Sequence, residues 1–404
     1  MKWPVVSLAD ALASAEVFVD GDWVESKDQD PCGDVRLVQL ADVGDGEYLN
    51  KSARFLTNSK ARQLRCTFLK PGDVLVARMP DPLGRACIFP GDPKPSVTAV
   101  DVCIIRPDVK EQNARWLMHC LNAPTCRSQI RGFATGTTRA RISRSNLSKI
   151  KIPLPPLAEQ QRIAEILDRT EALRAKRRYA LAQLDTLTQA IFLDLFGDPG
   201  TNANNWPRKS LKDLGRITTG GTPPSAKPGM FGGPIPFVTP GDLENDEPVK
   251  RSLTNAGARE SVTVRAGTML VCCIGATIGK MAKVRERSAF NQQINAVEWA
   301  GEIDDNYGLA VLRFFKPTIA AWGASTTLPI LKKSTFEKIE VPVPPLPLQR
   351  EFARRVEAVE KLKTAHRTSL TELDALFASL QHRAFRGELR GDLPGNFVKL
   401  PQQE

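Results

Sequence analysis

Side chains that could carry out catalysis are sparse in this 404-residue sequence, and their spacing fits no familiar catalytic site. Residues 275–281, GATIGKM, are similar to a phosphate-binding loop, but they have one residue too few between the glycines and lack the final Ser or Thr. We interpret this segment as a strand and a turn. The histidines His119, His366 and His382 are too far apart for a zinc site or a catalytic triad. The sequence therefore predicts no catalytic residue and no metal site.

A basic segment suits a different kind of chemistry, the binding of a polyanion. Between Lys110 and Lys151 the sequence has nine lysines and arginines and the single acid Glu111. Within it, residues 136–150, GTTRARISRSNLSKI, combine arginines with hydroxyl and amide side chains. Such residues bind phosphate by charge and hydrogen bonding, and arginine can also read guanine edges. The net charge of +11 also favours nucleic acid. The alternative is a solvated basic loop beside the following helix.

The segment that follows the basic stretch occurs twice in the chain. Residues 150–196 begin IKIPLPPLAEQQRIAEIL, residues 339–385 begin IEVPVPPLPLQREFARRV, and the two align without a gap at a shift of 189 positions. Each copy opens with a Pro-Pro pair, after which about forty residues contain almost no proline and no glycine until Gly197 or Gly387. The pattern predicts one helix of roughly 60 Å in each copy.

Spacings of four and three residues mark one stripe along each predicted helix, and such a stripe is typical of a coiled-coil seam. Both copies become polar at the same central positions, which lowers stability but can fix the register. The alternative is that each helix packs on its own domain with its central charges in water. The stripe consists of Ile163, Leu167, Thr170, Arg174, Arg177, Leu181, Leu184, Thr188, Ile191 and Leu195, and in the second copy Phe352, Val356, Val359, Lys363, His366, Leu370, Leu373, Phe377, Leu380 and Ala384.

Each long helix is preceded by a globular domain of α/β type. In the first domain the apolar runs 35–40, 74–77, 86–89 and 100–105 predict strands, and residues 113–123 predict a helix. The second domain repeats this pattern, because GDVLV at 72–76 corresponds to GTMLV at 267–271. The predicted parts are a first globular domain (1–149), a central long helix (150–197), a linker (198–205), a second globular domain (206–338), a distal long helix (339–386) and a C-terminal tail (387–404).

The order of these parts constrains the architecture. If the helices pair as neighbours, the second domain lies where the first helix ends and also precedes the second helix, which then runs back. We therefore expect an α/β fold in which two similar globular domains are separated by an antiparallel coiled coil, related by a pseudo-two-fold internal repeat. Two inverted domains held tens of ångströms apart suit a split target on duplex DNA.

With these residues in place, the chain resembles the specificity subunit of type I restriction-modification systems. The resemblance covers nearly the whole length and is carried by the PLPPLAEQQRIAEILD helix start, its repetition as VPVPPLPLQREF, the glycine-rich GGTPPSAKPGMFGGPIPFVTPGDL at 220–243 and Asn291-Gln292-Gln293. The second copy departs from the pattern by having Pro347-Leu348 where the first has Ala158-Glu159.

The resemblance implies a non-enzymatic subunit that reads a bipartite, asymmetric sequence of double-stranded DNA, one half with each recognition domain. It also implies association with two methyltransferase subunits and, in the full complex, two restriction subunits. S-adenosylmethionine, ATP and Mg²⁺ would be bound by those partners, and no cofactor by this chain. Two other functions stay open at this point, a coiled-coil adaptor for proteins and a standalone nucleic-acid enzyme with an unrecognised site.

The candidate DNA contacts are cations of the two globular domains, with phosphate as the expected target. The candidate partner surface consists of residues on helix faces that we expect to be exposed. The DNA candidates are Arg131, Arg139, Arg141 and Arg144, and Lys280, Lys332 and Lys333; the partner candidates are Gln160, Arg162, Gln349 and Arg350.

The expected location is the cytoplasm. The first twenty residues carry acids where a secretory signal has an apolar core, and no stretch approaches the roughly twenty apolar residues that cross a bilayer. The eight scattered cysteines include no CxxC pair, which favours core residues in a reducing compartment.

Overall fold

The computed structural model of the chain describes residues 3–136, 139–224, 226–245, 247–323 and 329–389. The chain forms two compact units, one from the residues up to Arg177 together with those from Ser369 onward, the other from Arg178–Thr368. Each unit contains one globular domain and parts of both long helices. From position 390 on, the predicted C-terminal tail lies outside the described residues.

The first globular domain is built on an antiparallel sheet with the strand order β2-β8-β5-β6, beside a smaller sheet of order β4-β3-β7 in which β3 and β7 are parallel. A further antiparallel pair joins β1 to β9, and β9 lies just before the first long helix. The strands are β1 Val5–Ser7, β2 Val17–Asp20, β3 Val35–Val38, β4 Phe55–Leu56, β5 Val74–Ala77, β6 Ala86–Ile88, β7 Ser96–Thr98, β8 Val102–Arg106 and β9 Lys151–Pro153.

The central strands are apolar at consecutive positions because both faces of this sheet are covered. In β5, Val74 and Val76 pack on the helical side, whereas Leu75 and Ala77 pack against the smaller sheet. The helices are α1 Leu8–Ala11, α2 Asn58–Gln63, α3 Ala114–Asn122, α4 Pro124–Gly132 and α5 Arg144–Leu147. The predicted strand runs and the predicted helix near 113–123 are thus found, with Asn113 as the N-cap of α3.

The second globular domain repeats this scaffold. Its main sheet has the order β11-β18-β15-β16, its second sheet the order β13-β12-β17-β14, and β10 pairs with β19 just before the second long helix. The strands are β10 Arg208–Ser210, β11 Gly215–Thr219, β12 Phe231–Val238, β13 Ser252–Leu253, β14 Thr263–Val264, β15 Met269–Cys272, β16 Met281–Lys283, β17 Ser288–Phe290, β18 Ile294–Trp299 and β19 Glu340–Pro342.

Between β15 and β16 lies the segment that is similar to a phosphate-binding loop, and it is a turn as predicted. Gly275 and Gly279 have φ of +89° and +85°, a left-handed conformation that favours glycine. The amide of Gly279 donates to Cys272 (2.9 Å), as the amide of Gly84 donates to Ala77 (2.9 Å) in the first domain. This shared turn confirms the correspondence of residues 72–76 to residues 267–271, a shift of 195 positions, that the sequence predicts.

The remaining helices include the two long ones, each a continuous helix of 40 residues. Both helices begin directly after a Pro-Pro pair and end shortly before a glycine. Proline is tolerated at the start of a helix but not in its interior, and glycine favours the end of a helix. The helices from the first long one onward are α6 Leu157–Phe196, α7 Leu211–Leu214, α8 Asn255–Arg259, α9 Asp305–Phe314, α10 Lys316–Gly323, α11 Lys333–Phe336 and α12 Leu346–Phe385. No helix in the described ranges has the length and apolarity required to span a bilayer.

The two long helices pair in an antiparallel direction within each compact unit. In the first unit, Arg174 bonds Asp374 (Nε to Oδ1, 2.7 Å), and Arg162 donates to the carbonyl of Leu389 (2.7 Å) just beyond α12. In the second unit, Lys363 Nζ lies 3.1 Å from Asp185, and Phe352 packs edge-on against Phe192 (ring centroids 5.6 Å apart). Residue numbers rise along α6 as they fall along α12 in both units.

The predicted stripe is the inward face of both helices, since all twenty of its residues, every one within the described ranges, are buried or half-buried. The prediction of the stripe is wrong in one detail, the most buried residues in the last turn of α6. Ile191 and Leu195 are only half-buried, whereas Phe192 and Phe196 are 1% and 2% exposed. These phenylalanines contact both Tyr307 of the globular domain and Phe352 of the α12 stripe, so the last turn of α6 faces the domain core as well as the seam.

Candidate nucleic-acid interface

The centre of the basic segment forms a loop between α4 and α5 of the first domain. Thr135 and Arg141 exchange backbone hydrogen bonds (2.9 and 2.8 Å), which brings the two sides of this loop together. Gly136 follows Thr135 with φ of +94°, and a Cβ there would lie 2.7 Å from the carbonyl oxygen of Arg139. Position 136 therefore requires glycine, and Arg139 lies exposed at the surface.

A buried arginine holds this loop against the end of the main sheet. Arg78 follows β5 and is 6% exposed. Its guanidinium donates to the carbonyls of Ile142 (3.0 Å) and Val100 (3.2 Å) and lies 2.6 Å from the carboxylate of Asp20. Because a buried guanidinium must be paired and bonded, Arg78 joins β2, β5, the turn before β8 and the basic loop into one rigid cluster.

The predicted DNA contacts in the first domain differ in how many of their donors are available. Arg131 and Arg139 are exposed and form no ion pair with a described residue. Arg141 is half-buried, with Nη2 at 3.0 Å from Asp101. Arg144 is exposed and donates to the carbonyl of Phe18 (2.7 Å).

Other bases of the segment are committed to the fold. Arg127 is 6% exposed and donates to Asp45 (2.7 Å) and to the carbonyl of Leu83 (3.2 Å). Burial lowers the pKa of its guanidinium, and the nearby Asp45 opposes that shift. Arg115 lies 3.2 Å from Asp168 of α6. The positive charge counted in the sequence is therefore larger than the charge that the surface offers to a polyanion.

In the second domain two of the predicted contacts, Lys332 and Lys333, lie at the start of the helix that corresponds to α5. Lys332 is exposed and occupies the N-cap position of α11, where Ser143 caps α5 in the first domain. Lys333 is exposed and lies 3.5 Å from Glu337. Lys280 is half-buried in the turn between β15 and β16. Of these three cations, Lys332 is the one that is both exposed and without an ion pair to a described residue.

Backbone hydrogen bonds identify equivalent positions in the two domains. In the first, the amide of Ile142 donates to Arg78 (3.0 Å) and the amide of Arg78 to Asp101 (2.9 Å). This chain of bonds fixes the backbones of the basic loop, the end of β5 and the turn before β8.

In the second domain the same chain of bonds runs from the amide of Leu331 to Cys273 (2.8 Å), and from the amide of Cys273 to Gln293 (2.8 Å). Cys273 thus corresponds to Arg78, Gln293 to Asp101, and Ile330, which precedes Leu331, to Arg141. The two domains share a frame and place different side chains on it.

Two acidic groups near this cluster are held by contacts within the fold. Asp20 is paired with Arg78, and Asp22 accepts a hydrogen bond from the amide of Thr67 (3.0 Å). Burial raises the pKa of Asp22 to about 6. Among the described residues, no group of three or more potential ligands could hold a metal ion.

The structure corrects part of the predicted partner surface. Gln160 and Gln349 are 1% and 0% exposed, so the expectation that they lie on exposed helix faces is wrong. The carboxamide of Gln160 accepts from the amide of Asn113 (2.9 Å) and donates to the carbonyls of Pro155 (2.9 Å) and Glu111 (3.3 Å).

Gln349 makes the same set of contacts in the second domain. It accepts from the amide of Asp304 (2.9 Å) and donates to the carbonyls of Pro344 (2.8 Å) and Glu302 (2.9 Å). Asn113 and Asp304 are the N-caps of α3 and α9, so each glutamine joins the start of a long helix to a domain helix.

The two arginines predicted beside these glutamines remain reachable to different degrees. Arg162 is half-buried, bonded to Glu159 (2.6 Å) and to the carbonyl of Leu389 (2.7 Å). Arg350 is exposed. Of the four predicted partner contacts, Arg350 is the most accessible.

Sequence reasoning missed Arg78, Asp20 and Asp101, which hold the basic loop in place. They carry no signal in the sequence that separates them from surface charges, because they are brought together only by the fold. The exposed aromatic side chains Trp23 (68%) and Phe133 (38%) were missed for the same reason.

Comparison with known proteins gives a consistent family. Residues 35–182 and 203–375 match the sequence model of a family described as type I restriction modification DNA specificity domain, with one match for each copy of the duplication. The chain is 21% identical over 410 residues to the putative type I restriction enzyme MjaX specificity subunit of Methanocaldococcus jannaschii, covering 96% of this chain and 94% of the relative. It is 24% identical over 342 residues to the EcoBI specificity subunit of Escherichia coli, covering 73% and 70%.

Solved structures share the fold. The S subunit of a type I restriction-modification system from M. genitalium superposes with a TM-score of 0.60 at 16% identity, covering 95% of this chain and 96% of the other. A chain from a structure of the type I R-M system, solved to explain its assembly and conformational transition, gives 0.57 at 19% identity, covering 96% and 98%.

Proposed function

We propose, from the premise that the chain belongs to the family of type I restriction-modification DNA specificity proteins, that it reads a bipartite, asymmetric target on double-stranded DNA. Each globular domain would read one half of the target. The two domains would differ in the bases they select, because their common frame carries different side chains.

One observation carries this proposal, the exchange of side chains at equivalent positions of the two frames. Arg141 beside Asp101 in the first domain is replaced by Ile330 and Gln293 in the second. A charged guanidinium and an aliphatic side chain make different contacts with base edges in the major groove, since guanine presents acceptors and thymine a methyl group. Two domains built in this way read two different half-sites.

The unpaired surface cations support a role for phosphate contacts. Arg131, Arg139 and Lys332 are exposed and form no ion pair with a described residue. Such cations release condensed counterions when they neutralise phosphates, and they supply affinity without sequence information. They would place the domains on the duplex while other side chains select the bases.

The chemistry would belong to partner subunits. We propose that two methyltransferase subunits, which bind S-adenosylmethionine, associate with the chain, and that two restriction subunits, which use ATP and Mg²⁺, join in the full complex. Support comes from the family to which the chain belongs. Arg350, exposed at the start of α12, is a candidate contact for a partner.

The experiment has two stages. Methylated adenines are first mapped in cells with and without this chain, which gives the target sequence and its spacer. The full-length chain, with its methyltransferase partner, is then titrated against labelled duplexes that carry the target or a random sequence, over a series of salt concentrations.

Replacement of Arg139 by glutamine, or of Lys332 by glutamine, is expected to weaken binding to both duplexes. Each change should make the dependence of log K on log salt shallower by about 0.9, the effect of one lost phosphate contact on B-form DNA. Arg169→Gln is the matched control, because Arg169 is an exposed arginine on α6 rather than on a globular domain. A chain that binds no duplex in a sequence-dependent manner, and changes no methylation pattern, would refute the proposed function.

A further inference from the structure

The pair formed by Arg141 and Asp101 distinguishes Arg141 from the other predicted DNA contacts. Nη2 of Arg141 lies 3.0 Å from Oδ1 of Asp101, and the two side chains are 40% and 30% exposed. Both groups can therefore be reached from solvent, although they are not fully hydrated. By contrast, Arg139 in the same loop is exposed and forms no ion pair with a described residue.

Both members of the pair have fixed backbones. The carbonyl of Asp101 accepts from the amide of Arg78 (2.9 Å), and Arg141 exchanges two backbone hydrogen bonds with Thr135. The buried guanidinium of Arg78 also donates to the carbonyl of Ile142 (3.0 Å), next to Arg141. The Arg141 guanidinium thus has less freedom to lose on binding than an unpaired surface arginine, which reduces the entropic cost of contact.

The carboxylate changes the kind of ligand that this arginine favours. Arg141 and Asp101 together have no net charge. Nε of Arg141 is buried without a hydrogen-bond partner, so the donors left for a ligand are those on the two Nη atoms, of which Nη2 also faces Asp101. An incoming phosphate is attracted by Arg141 and repelled by Asp101. A guanine edge is uncharged and presents two acceptors, O6 and N7, so the repulsion does not apply to it.

We infer that Arg141 reads the edge of a guanine in the first half-site rather than a phosphate, with Asp101 as its positioning residue. This inference rests on the proposed function and replaces the expectation, drawn from the sequence, that phosphate is the target of Arg141. It also confines the guanine contact to one half of the target. The equivalent positions in the second domain, Ile330 and Gln293, have no guanidinium to offer.

The test compares three variants on a panel of duplexes, using the full-length chain with its methyltransferase partner. Each base pair of both mapped half-sites is replaced in turn, and the dissociation constant is measured for wild type, Arg141→Gln, Asp101→Asn and Arg139→Gln. The salt dependence is measured on the mapped target and on a random duplex. All three replaced side chains are at least partly exposed, and circular dichroism with thermal unfolding checks that each variant is folded.

For Arg141→Gln we expect discrimination at one G·C pair of one half-site to fall roughly ten- to a hundredfold, as for the loss of a bidentate guanine contact. Its salt slope on random DNA should match that of wild type. Asp101→Asn should steepen that slope by about 0.9, because it releases a cation for phosphate, and should reduce discrimination at the same base pair. Arg139→Gln should make the slope shallower and leave discrimination unchanged.

Two results would overturn the inference alone. One is an Arg141→Gln variant with a shallower salt slope and intact base discrimination, which would make Arg141 a phosphate contact. The other is an Asp101→Asn variant whose random-duplex affinity and base discrimination both equal those of wild type. Failure of the wild-type complex to bind any duplex in a sequence-dependent manner would instead refute the proposed function, and this inference with it.

Discussion

Replacement of Gln160 by alanine is expected to loosen the junction between α6 and the first globular domain. The carboxamide of Gln160 is buried and bonds three backbone groups, the amide of Asn113 and the carbonyls of Pro155 and Glu111. Alanine removes all three hydrogen bonds and leaves their partners in a site with little access to water. The N-cap of α3 is among those partners, so the effect should concentrate in that helix.

The magnitude follows from the three contacts. A typical hydrogen bond contributes about 1 kcal/mol net, and a buried partner left unsatisfied costs more than the mean. The contacts at 2.9 Å count fully, whereas the one at 3.3 Å to Glu111 is weaker. The expected loss is about 2–3 kcal/mol in the free energy of unfolding of the first compact unit. At one decade per 1.36 kcal/mol, amide exchange limited by that unfolding accelerates about 30- to 150-fold.

Hydrogen exchange followed by mass spectrometry resolves the two units, which a single unfolding curve of a two-unit chain does not. Peptides covering α3 report on the first unit and peptides covering α9 on the second. The matched control is Gln161→Ala, because Gln161 is the next residue on α6 and is exposed. Gln349→Ala is the counterpart in the second unit, with Arg350→Ala as its exposed control.

The expected pattern is faster exchange in α3 for Gln160→Ala and faster exchange in α9 for Gln349→Ala, with both controls close to wild type. Equal exchange in α3 for Gln160→Ala and Gln161→Ala would refute the reasoning that the buried carboxamide holds this junction. A Gln160→Ala variant with unchanged exchange but weaker methyltransferase binding would instead restore the partner contact that its burial argues against.

Three further predictions concern the core, the pH dependence and the long helices. Phe192→Ala removes a side chain that is 1% exposed from an aromatic cluster and should destabilise the second unit by about 3–5 kcal/mol, measured by hydrogen exchange of peptides covering α9. Leu193→Ala, at the 39% exposed neighbour, should cost about 0.5 kcal/mol or less, and similar costs for the two variants would contradict the placement of Phe192. Because burial raises the pKa of Asp22 from 3.8 to about 6, its contribution to stability should fall as pH rises from about 4 to about 6, and Asp22→Asn should lack that fall in unfolding measured over this range. Inserting one heptad in each of α6 and α12 adds roughly 10 Å to each helix and should add about three base pairs to the spacer between the two half-sites of the methylated target. Methylation with the original spacer would argue against the idea that the long helices set the distance between the half-sites.

Part of the site could be anticipated from the sequence. The density of lysine and arginine between Lys110 and Lys151 located the basic loop, and the repeat located its counterpart near Lys332. Sequence reasoning could not tell which of these cations are available. Arg127 and Arg139 have the same side chain within one segment, yet the first is buried against Asp45 and the second is exposed. Whether an arginine is available to bind DNA depends on acidic partners that are distant in the sequence. Asp45 lies 82 positions before Arg127, and Asp101 lies 40 positions before Arg141.

The same distinction explains the error at Gln160. Its place beside the helix start suggested an exposed face, but a glutamine in a helix has no sequence mark that separates a surface position from a buried one. The carbonyl of Glu111 and the amide of Asn113 arrive from a loop 49 and 47 residues earlier. The fold brings α3 beside the start of α6 and buries Gln160. In that buried position a carboxamide is suitable because it accepts from one backbone amide and donates to two carbonyls.

The sequence by itself determined the duplication, the two long helices and their inward stripe, because these depend on local rules. Proline and glycine set the ends of α6 and α12, and a spacing of three and four residues sets the buried face. The tertiary structure decided which charges cancel and which remain for a ligand. Arg141 lies beside Asp101, whereas Arg139 pairs with no residue of the described ranges. Ion pairs form between charged groups that are close in space but far apart in the sequence. The order of residues does not directly show which of these groups come within ion-pair distance of each other.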